Sequence, residues 1–200
     1  MPDWINAKKY VLARLAEELP EGLYYHGIHH TRDDVLPAVE HLAKLASLGY
    51  GETLLLQTAA LYHDIGFIEA YQDNEPIAAR IAAQTLPQFG YTPEQIQVVG
   101  QIVLATHLPQ SPQSYLEQLM CDADLDSLGR DDYLVTSHNL WKELKHHGAY
   151  LTSRQWYQRQ IDFLGQHTYF TSVAQALRGP GKRKNLEMLK ARLAHLSDQE

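Results

Sequence analysis

Apolar residues recur along the chain at the three- and four-residue spacing of amphipathic helices, and no segment shows the sustained period-two alternation of half-buried strands. One apolar stripe runs from Val35 to Ala46, and Gly49 follows where that helix should end. The pattern therefore predicts an all-α protein. The predicted helices lie at about residues 5–19, 35–46, 52–63, 74–89, 93–107, 115–128, 131–147, 153–166 and 168–178, with a last helix after the Gly-Pro-Gly break at 179–181.

Three local signals concern where these helices begin. Asn74 is interpreted as an N-terminal cap, because Pro76 follows in the first turn. Thr92 begins a capping-box pattern, and the apolar stripe that follows it directs His107 inward. Pro37 interrupts the second predicted helix, so that helix either starts near Pro37 or is kinked there.

The third predicted helix is apolar on nearly all sides, which indicates a buried central helix, and Gly66 marks its end. His63 and Asp64 therefore lie at a buried helix end. A buried imidazole and carboxylate are costly without a partner, and a divalent cation would satisfy both. The alternative is a hydrogen-bonded core histidine beside an unrelated aspartate, since such pairs also occur by chance.

Three carboxylates, of Asp122, Asp124 and Asp126, fall within five residues of the sixth predicted helix. Positions 122 and 126 share one face and position 124 lies on another, so at least one side chain should point inward. The neighbouring apolar stripe places Asp124 close to the buried side. The alternative is that all three are solvated.

Composition and charge narrow the function classes. A chain of 200 residues with 44% hydrophobic content can bury one core, and its length favours a single domain. The formal charge of −7 and the pI of about 5.8 argue against a broad phosphate-neutralising surface, so long nucleic acid is not an expected partner. A small phosphorylated molecule is compatible with this charge, because a bound metal can supply most of the positive potential.

Cysteine content and hydropathy bear on location. The single cysteine, Cys121, cannot form an internal disulfide, and the first residues lack the pattern of a signal peptide. No apolar run approaches the roughly 20 residues that span a bilayer. We therefore expect a cytoplasmic protein that does not enter a membrane.

The order of these polar residues resembles the signature of the HD-domain superfamily of metal-dependent phosphohydrolases. His30 in HHTRDDV, His63–Asp64 in AALYHDIG and Asp124 in DADLDSLGR match its ligands in sequence. The similarity covers about residues 23–130, with looser similarity in the later segments TSRQWYQRQ and FTSVAQALR. It implies one HD-type helical domain over 1–200, in which helices of 131–200 pack on the metal-binding core.

The resemblance also implies a chemistry. His30, His63, Asp64 and Asp124 would hold one divalent ion, with Mn, Fe, Co, Ni, Zn and Mg all compatible with the donor set and a second ion possible. The expected reaction is hydrolysis of a small phosphorylated metabolite, with a nucleotide favoured, by attack of metal-activated water on phosphorus. Asp64 would orient that water.

Two further histidines are candidates for proton transfer to the leaving oxygen. The segment from Tyr25 to His30 is similar to the Tyr-His-Asn-x-x-His segment of class I cyclic-nucleotide phosphodiesterases, which implies that His26 is a general acid. Gly27 replaces the Asn of that motif, and a surface imidazole is the alternative. His107 resembles a histidine that HD enzymes often have before the last aspartate, and a core histidine is its alternative.

Arg130 and Arg154 are the candidates for binding a substrate phosphate. Lys145 and Arg159 are further cationic residues on the later helices. Each could instead be a solvated surface charge. Two other functions stay open: a non-catalytic metal- or nucleotide-binding sensor, and an HD-type di-iron oxygenase, for which His107 is the only strong additional ligand. The sequence leaves the oligomeric state undetermined.

Overall fold

The structure is a computed structural model that describes residues 1–196. Within this range the chain forms nine α-helices and no β-strand, which confirms the predicted all-α fold. A π-helical segment at His30–Val35 runs directly into the second helix, and 3₁₀ segments lie at Ile65–Ile68, Leu86–Phe89 and Asp126–Gly129. The α-helices are α1 (Trp4–Glu18), α2 (Leu36–Leu45), α3 (Tyr50–Tyr62), α4 (Asn74–Thr85), α5 (Pro93–Leu104), α6 (Tyr115–Asp124), α7 (Tyr133–His146), α8 (Ser153–Gln166) and α9 (Ser172–His195).

Helix α3 is the central helix of the core. Its last turn, residues 59–62, is fully buried, and α1, α2, α5 and α6 all pack against it. This surrounding layer explains why the sequence of α3 is apolar on almost every face. The chain leaves α3 at His63 and Asp64, so these two side chains are delivered into the interior.

Local signals at the helix starts give mixed outcomes. The Thr92 hydroxyl accepts from the backbone N–H of Gln95, which confirms the capping box of α5. Asn74 is the first residue of α4 and not its cap, because Asp73 occupies the cap position with a left-handed backbone (φ 53°). Pro37 lies in the first turn of α2, as the first alternative predicts, and the π-helical turns precede it without a break.

The predicted break between two C-terminal helices is wrong. Helix α9 continues through the Gly-Pro-Gly segment, with Pro180 in its interior. Gly181 serves close packing: a Cβ there would lie 2.0 Å from the carbonyl oxygen of Gly129, so only glycine fits. Although α9 has 24 residues, no helix among those described is apolar enough to cross a membrane.

Candidate metal centre and adjoining pocket

The predicted metal ligands converge where α2, α3 and α6 meet. His30 is the first residue of the π-helical segment, and Asp124 is the last residue of α6. His63 and Asp64 follow α3 directly. His30, His63 and Asp64 are buried, whereas the Asp124 side chain is 18% exposed. The site is therefore an interior cluster with one partly open side.

Distances within this cluster match one coordination sphere. The His30 Nε2 atom lies 3.2 Å from Oδ1 of Asp124 and 3.7 Å from Oδ2 of Asp64. The His63 Nε2 atom lies 3.2 Å from Oδ2 of Asp64 and 3.6 Å from Oδ1 of Asp124. Ligands that are each about 2.1 Å from a single ion lie roughly 3.0–3.5 Å from one another.

Hydrogen bonding leaves two buried atoms of this cluster without a partner. His63 Nε2 and Asp64 Oδ2 have none among residues 1–196. Nδ1 of the same imidazole contacts the carbonyl oxygen of Ala60 at 2.8 Å, which assigns its hydrogen to Nδ1 and leaves the Nε2 lone pair for a ligand bond. A buried polar atom left unpaired costs about 1–3 kcal/mol. The residues therefore fit a divalent cation, which would satisfy both atoms.

Interactions within the cluster raise the pKa values of the His30 and His63 imidazoles. Burial disfavours the charged form of His30, but its hydrogen bond to Asp124 and the nearby carboxylates of Asp34 and Asp64 outweigh burial and raise its pKa to about 10. Burial likewise opposes ionisation of His63 and Asp64, yet their mutual attraction raises the pKa of His63 and lowers that of Asp64. A cation bound here would take the place of these protons, so binding should release them.

Arg130 acts on the metal-ligand cluster indirectly, through the carboxylate of Asp34. One guanidinium nitrogen lies 2.6 Å from Oδ1 of Asp34, and two others bond the carboxylate of Asp132 at 2.8 and 2.6 Å. The second oxygen of Asp34 lies 3.9 Å from Nδ1 of His30. The side chain expected to contact a substrate phosphate is thus paired with two carboxylates and positions Asp34 beside a ligand.

His26 faces the cluster and is held by a carboxylate that the sequence reasoning missed. Its Nδ1 lies 2.5 Å from Oε1 of Glu143, whose side chain is fully buried. The other oxygen of Glu143 accepts the backbone N–H groups of Tyr25 and His26, at 2.7 and 3.0 Å. Phe67 stacks on the imidazole, with ring centroids 4.6 Å apart. With Nδ1 committed to Glu143, Nε2 is the atom available for proton transfer.

A pocket of about 480 Å³ opens beside the cluster, within the roughly 300–1,000 Å³ typical of ligand sites. One end is polar and includes His26, Asp64 and Asp124. The other end lies between α7 and α8 and is largely apolar, with Trp156 and Phe163 in its wall. The metal-ligand cluster therefore shares one cavity with a surface suited to an aromatic ligand.

His107 lies outside this cavity, and the prediction that it faces inward is wrong. Helix α5 ends at Leu104, so the helical stripe does not reach position 107 and the side chain is 55% exposed. Its Nδ1 lies 3.2 Å from the carboxylate of Glu75, which does line the pocket. The one group of potential metal ligands found among residues 1–196 consists of His30, His63 and Asp124, with Asp64 beside it and His107 outside it, so the structure adds no ligand for a di-iron site.

The structure places Arg159 in the pocket in preference to Arg154. Arg154 donates to the carbonyl oxygen of Leu196 at 2.9 Å and does not line the cavity. Arg159 lines the cavity and makes no salt bridge within the part of the chain that is described. It is close enough to Tyr71 for its charge to act on that phenol, whose hydroxyl bonds Glu143 at 3.2 Å. Arg159 is thus the guanidinium on the His26 side of the pocket.

The two aspartates that flank Asp124 have structural roles, so the fully solvated alternative is wrong. Asp122 is 1% exposed and accepts the N–H groups of Phe170 and Thr171, at 2.7 and 2.8 Å, just before α9. Asp126 is 4% exposed and lies 2.6 Å from Arg178. Both fasten α9 to the end of α6, which leaves Asp124 as the carboxylate directed at the histidines.

Sequence reasoning missed Glu143 and Gln160 because nothing local distinguishes them. Glu143 stands between lysines in WKELK, where a solvated glutamate is the ordinary interpretation. Gln160 lies in RQWYQRQ, where three glutamines have the same local character, and it is 6% exposed. Their burial depends on how α7 and α8 fold back over the cluster, which periodicity does not predict.

Comparison with known proteins agrees with this architecture. The family model of the HD domain matches residues 12–127. The chain therefore belongs to the HD-domain family, whose members are typically metal-dependent phosphohydrolases. Among solved structures, Bacillus subtilis YpgQ in complex with ADP has a TM-score of 0.68 and 16% identity, with 98% of each chain covered, which shows a shared fold. No curated protein matches the chain.

Proposed function

We propose that this protein is a metal-dependent phosphohydrolase that acts on a nucleotide. The observation that carries the proposal is the cluster of His30, His63, Asp64 and Asp124, which opens into a pocket with an aromatic wall. The related structure of YpgQ contains ADP, which supports a nucleotide in preference to other phosphorylated metabolites. Whether a phosphomonoester, a diester or an anhydride is cleaved is left to the substrate screen.

In this proposal the four cluster residues hold one divalent ion. A bound divalent ion supplies Lewis-acid polarisation of a phosphoryl oxygen and lowers the pKa of water. Asp64 also lines the pocket, so its carboxylate can orient the water that attacks phosphorus. The partly buried Asp34 carboxylate, held by Arg130, keeps His30 in its ligating orientation.

His26 serves as the general acid in this scheme. Because Nδ1 is hydrogen-bonded to Glu143, a proton on Nε2 faces the cavity and can pass to the leaving oxygen. Glu143 acts through His26 and is therefore a positioning residue: its hydrogen bond to Nδ1 fixes the orientation of the ring. This pair supports His26 as the proton donor, and the exposed His107 has no part in the proposed step.

Substrate phosphates need a cation besides the metal, because Asp64 and Asp124 make this end of the pocket acidic. Arg159 meets that need in the proposal, since its guanidinium lines the cavity and no carboxylate of the described chain is paired with it. Its position beside Tyr71 puts it on the side where His26 meets the leaving group.

The experiment is a phosphate-release screen of nucleotides with Mn²⁺, comparing the wild type with Asp64→Ala. We expect metal-dependent release by the wild type and a loss of at least about a thousandfold in Asp64→Ala, since one ligand and the water-orienting group disappear together. Asp33→Ala is the matched control, because Asp33 is exposed and pairs only with Arg32.

The outcomes separate the possible functions. Full turnover by a folded Asp64→Ala protein would contradict the proposal. Thermal shifts with nucleotides but no released phosphate from the wild type would establish the non-catalytic sensor instead.

A further inference from the structure

Helices α7 and α8 each contribute one face to the pocket wall. On α8, Trp156, Arg159, Gln160 and Phe163 recur at three- and four-residue spacing and all line the cavity. Ser137 stands opposite them on α7. Within this wall Gln160 is a buried amide, 6% exposed, that the hydrolytic scheme does not use.

The orientation of the Gln160 amide is fixed by two hydroxyl groups of α7. Tyr133 donates its hydroxyl hydrogen to Oε1 at 2.7 Å, and Ser137 donates to the same oxygen at 3.3 Å. A carbonyl oxygen has two lone pairs, so both acceptor positions of Oε1 are taken. With Oε1 bonded to both hydroxyl groups, the Nε2 group lies on the other side of the amide.

The Nε2 group has no partner within residues 1–196, yet it is not enclosed by protein atoms. Because Gln160 lines the pocket, its two N–H donors are open to the cavity. The Gln160 amide thus presents two hydrogen-bond donors and no free acceptor to the cavity. A ligand group that accepts hydrogen bonds is favoured there, and one that only donates is left unpaired.

We infer that Gln160 recognises the oxygen at position 6 of a purine or position 4 of a pyrimidine, and that this site selects guanine, hypoxanthine or uracil over adenine or cytosine, which have an amino group at that position. The inference rests on the proposed nucleotide function and deepens it. Phe163, a partly buried side chain that lines the cavity, supplies aromatic surface against which a base can pack. Arg159, one residue away on the same helix, lies on the side of the phosphates, so one turn of α8 contacts both ends of the nucleotide.

The test compares substrates that differ in this exocyclic group alone or nearly so. Inosine and adenosine triphosphates form one pair, and uridine and cytidine triphosphates form the other. For each, kcat/KM is measured with Mn²⁺, and Kd is measured by calorimetry on EDTA-treated protein. We expect the oxo member of each pair to be favoured roughly tenfold, because a buried donor facing an amino group is left unsatisfied.

The variant Gln160→Glu replaces the donor group of the amide, Nε2, with an oxygen that accepts hydrogen bonds. One carboxylate oxygen still accepts from Tyr133 and Ser137, while the other replaces the two donors with an acceptor, so the preference should shift to adenosine and cytidine. Gln97→Glu is the control, because Gln97 is exposed on α5 and lies outside the pocket. Should Gln160→Glu fail to fold, Gln160→Met is expected to abolish the preference.

Each outcome bears on a separate statement. Equal turnover and equal Kd for oxo and amino bases in the wild type would overturn the role of Gln160 while leaving the hydrolase proposal standing. A preference that persists unchanged in Gln160→Glu would do the same. Failure of all four triphosphates both to bind and to be hydrolysed would overturn the nucleotide function, and this inference with it.

Discussion

The carboxylate of Glu143 offers a sharp test of how His26 is positioned. Its two oxygens accept four hydrogen bonds: from the N–H groups of Tyr25 and His26, from Nδ1 of His26, and from the hydroxyl of Tyr71. In Glu143→Gln one oxygen becomes an NH₂ group, so two of these donors lose their acceptor. At about 1–2 kcal/mol for each loss, the variant should lose roughly 2–4 kcal/mol of unfolding free energy.

The same change should lower catalysis through His26. General acid catalysis contributes about 10²–10⁴-fold, and loss of the negative charge beside Nδ1 removes part of it, so we expect kcat to fall roughly 10–100-fold with KM nearly unchanged. If Glu143 acts only through His26, adding Glu143→Gln to His26→Asn should lower kcat no further.

The assay combines urea unfolding with steady-state phosphate release for both single variants and the double variant. Glu117→Gln is the matched control: Glu117 is also buried and accepts from Gln113 N–H and Ser114, but it is outside the pocket. It should lose stability and keep its kcat. An unchanged kcat in Glu143→Gln, or fully additive losses in the double variant, would refute the reasoning.

Two further predictions follow from single side chains. Arg159→Met should raise KM for nucleotides roughly tenfold while leaving the urea midpoint unchanged, and Arg159→Lys should restore part of the affinity; an unaltered KM would remove Arg159 from the phosphate site. Burial, together with the charge of Lys182, lowers the pKa of His167 from 6.5 to about 4. Between these two pH values the unfolded chain binds a proton at His167 that the folded protein does not. The free energy of unfolding therefore falls as the pH drops from about 6.5 towards 4. After allowance for partial exposure, the wild type should lose about 1–2 kcal/mol more than His167→Gln between pH 7.5 and 4.5 in urea titrations, and parallel pH profiles would contradict this.

Much of the metal-ligand cluster could be anticipated from the sequence because its ligands carry local signals. His63 and Asp64 follow a helix that is apolar on every side, and the helical phase separates Asp124 from its two neighbours. These are short-range properties of the chain. The all-α class follows in the same way, since each helix leaves its own periodic pattern.

Other features depend on contacts between distant segments, and the sequence gives no local sign of them. The pairing of His26 with Glu143 joins residues 117 positions apart, and Arg130 is drawn to Asp34 by the packing of the 3₁₀ segment against the π-helical segment. The Gly-Pro-Gly sequence resembles a helix break, yet Gly129 approaches so closely at Gly181 that the glycines serve helix packing. For His107 the local pattern is misleading, because the apolar stripe continues to position 107 whereas helix α5 ends at Leu104.

Metal stoichiometry tests the central claim most directly. Calorimetric titration of EDTA-treated protein with Mn²⁺ should give one high-affinity ion per chain, with proton release that varies with the ionisation enthalpy of the buffer. His63→Ala should abolish this binding, whereas His41→Ala, at an exposed histidine outside the cluster, should leave it intact. Unchanged binding of one ion by a folded His63→Ala protein would contradict the assignment of the metal centre.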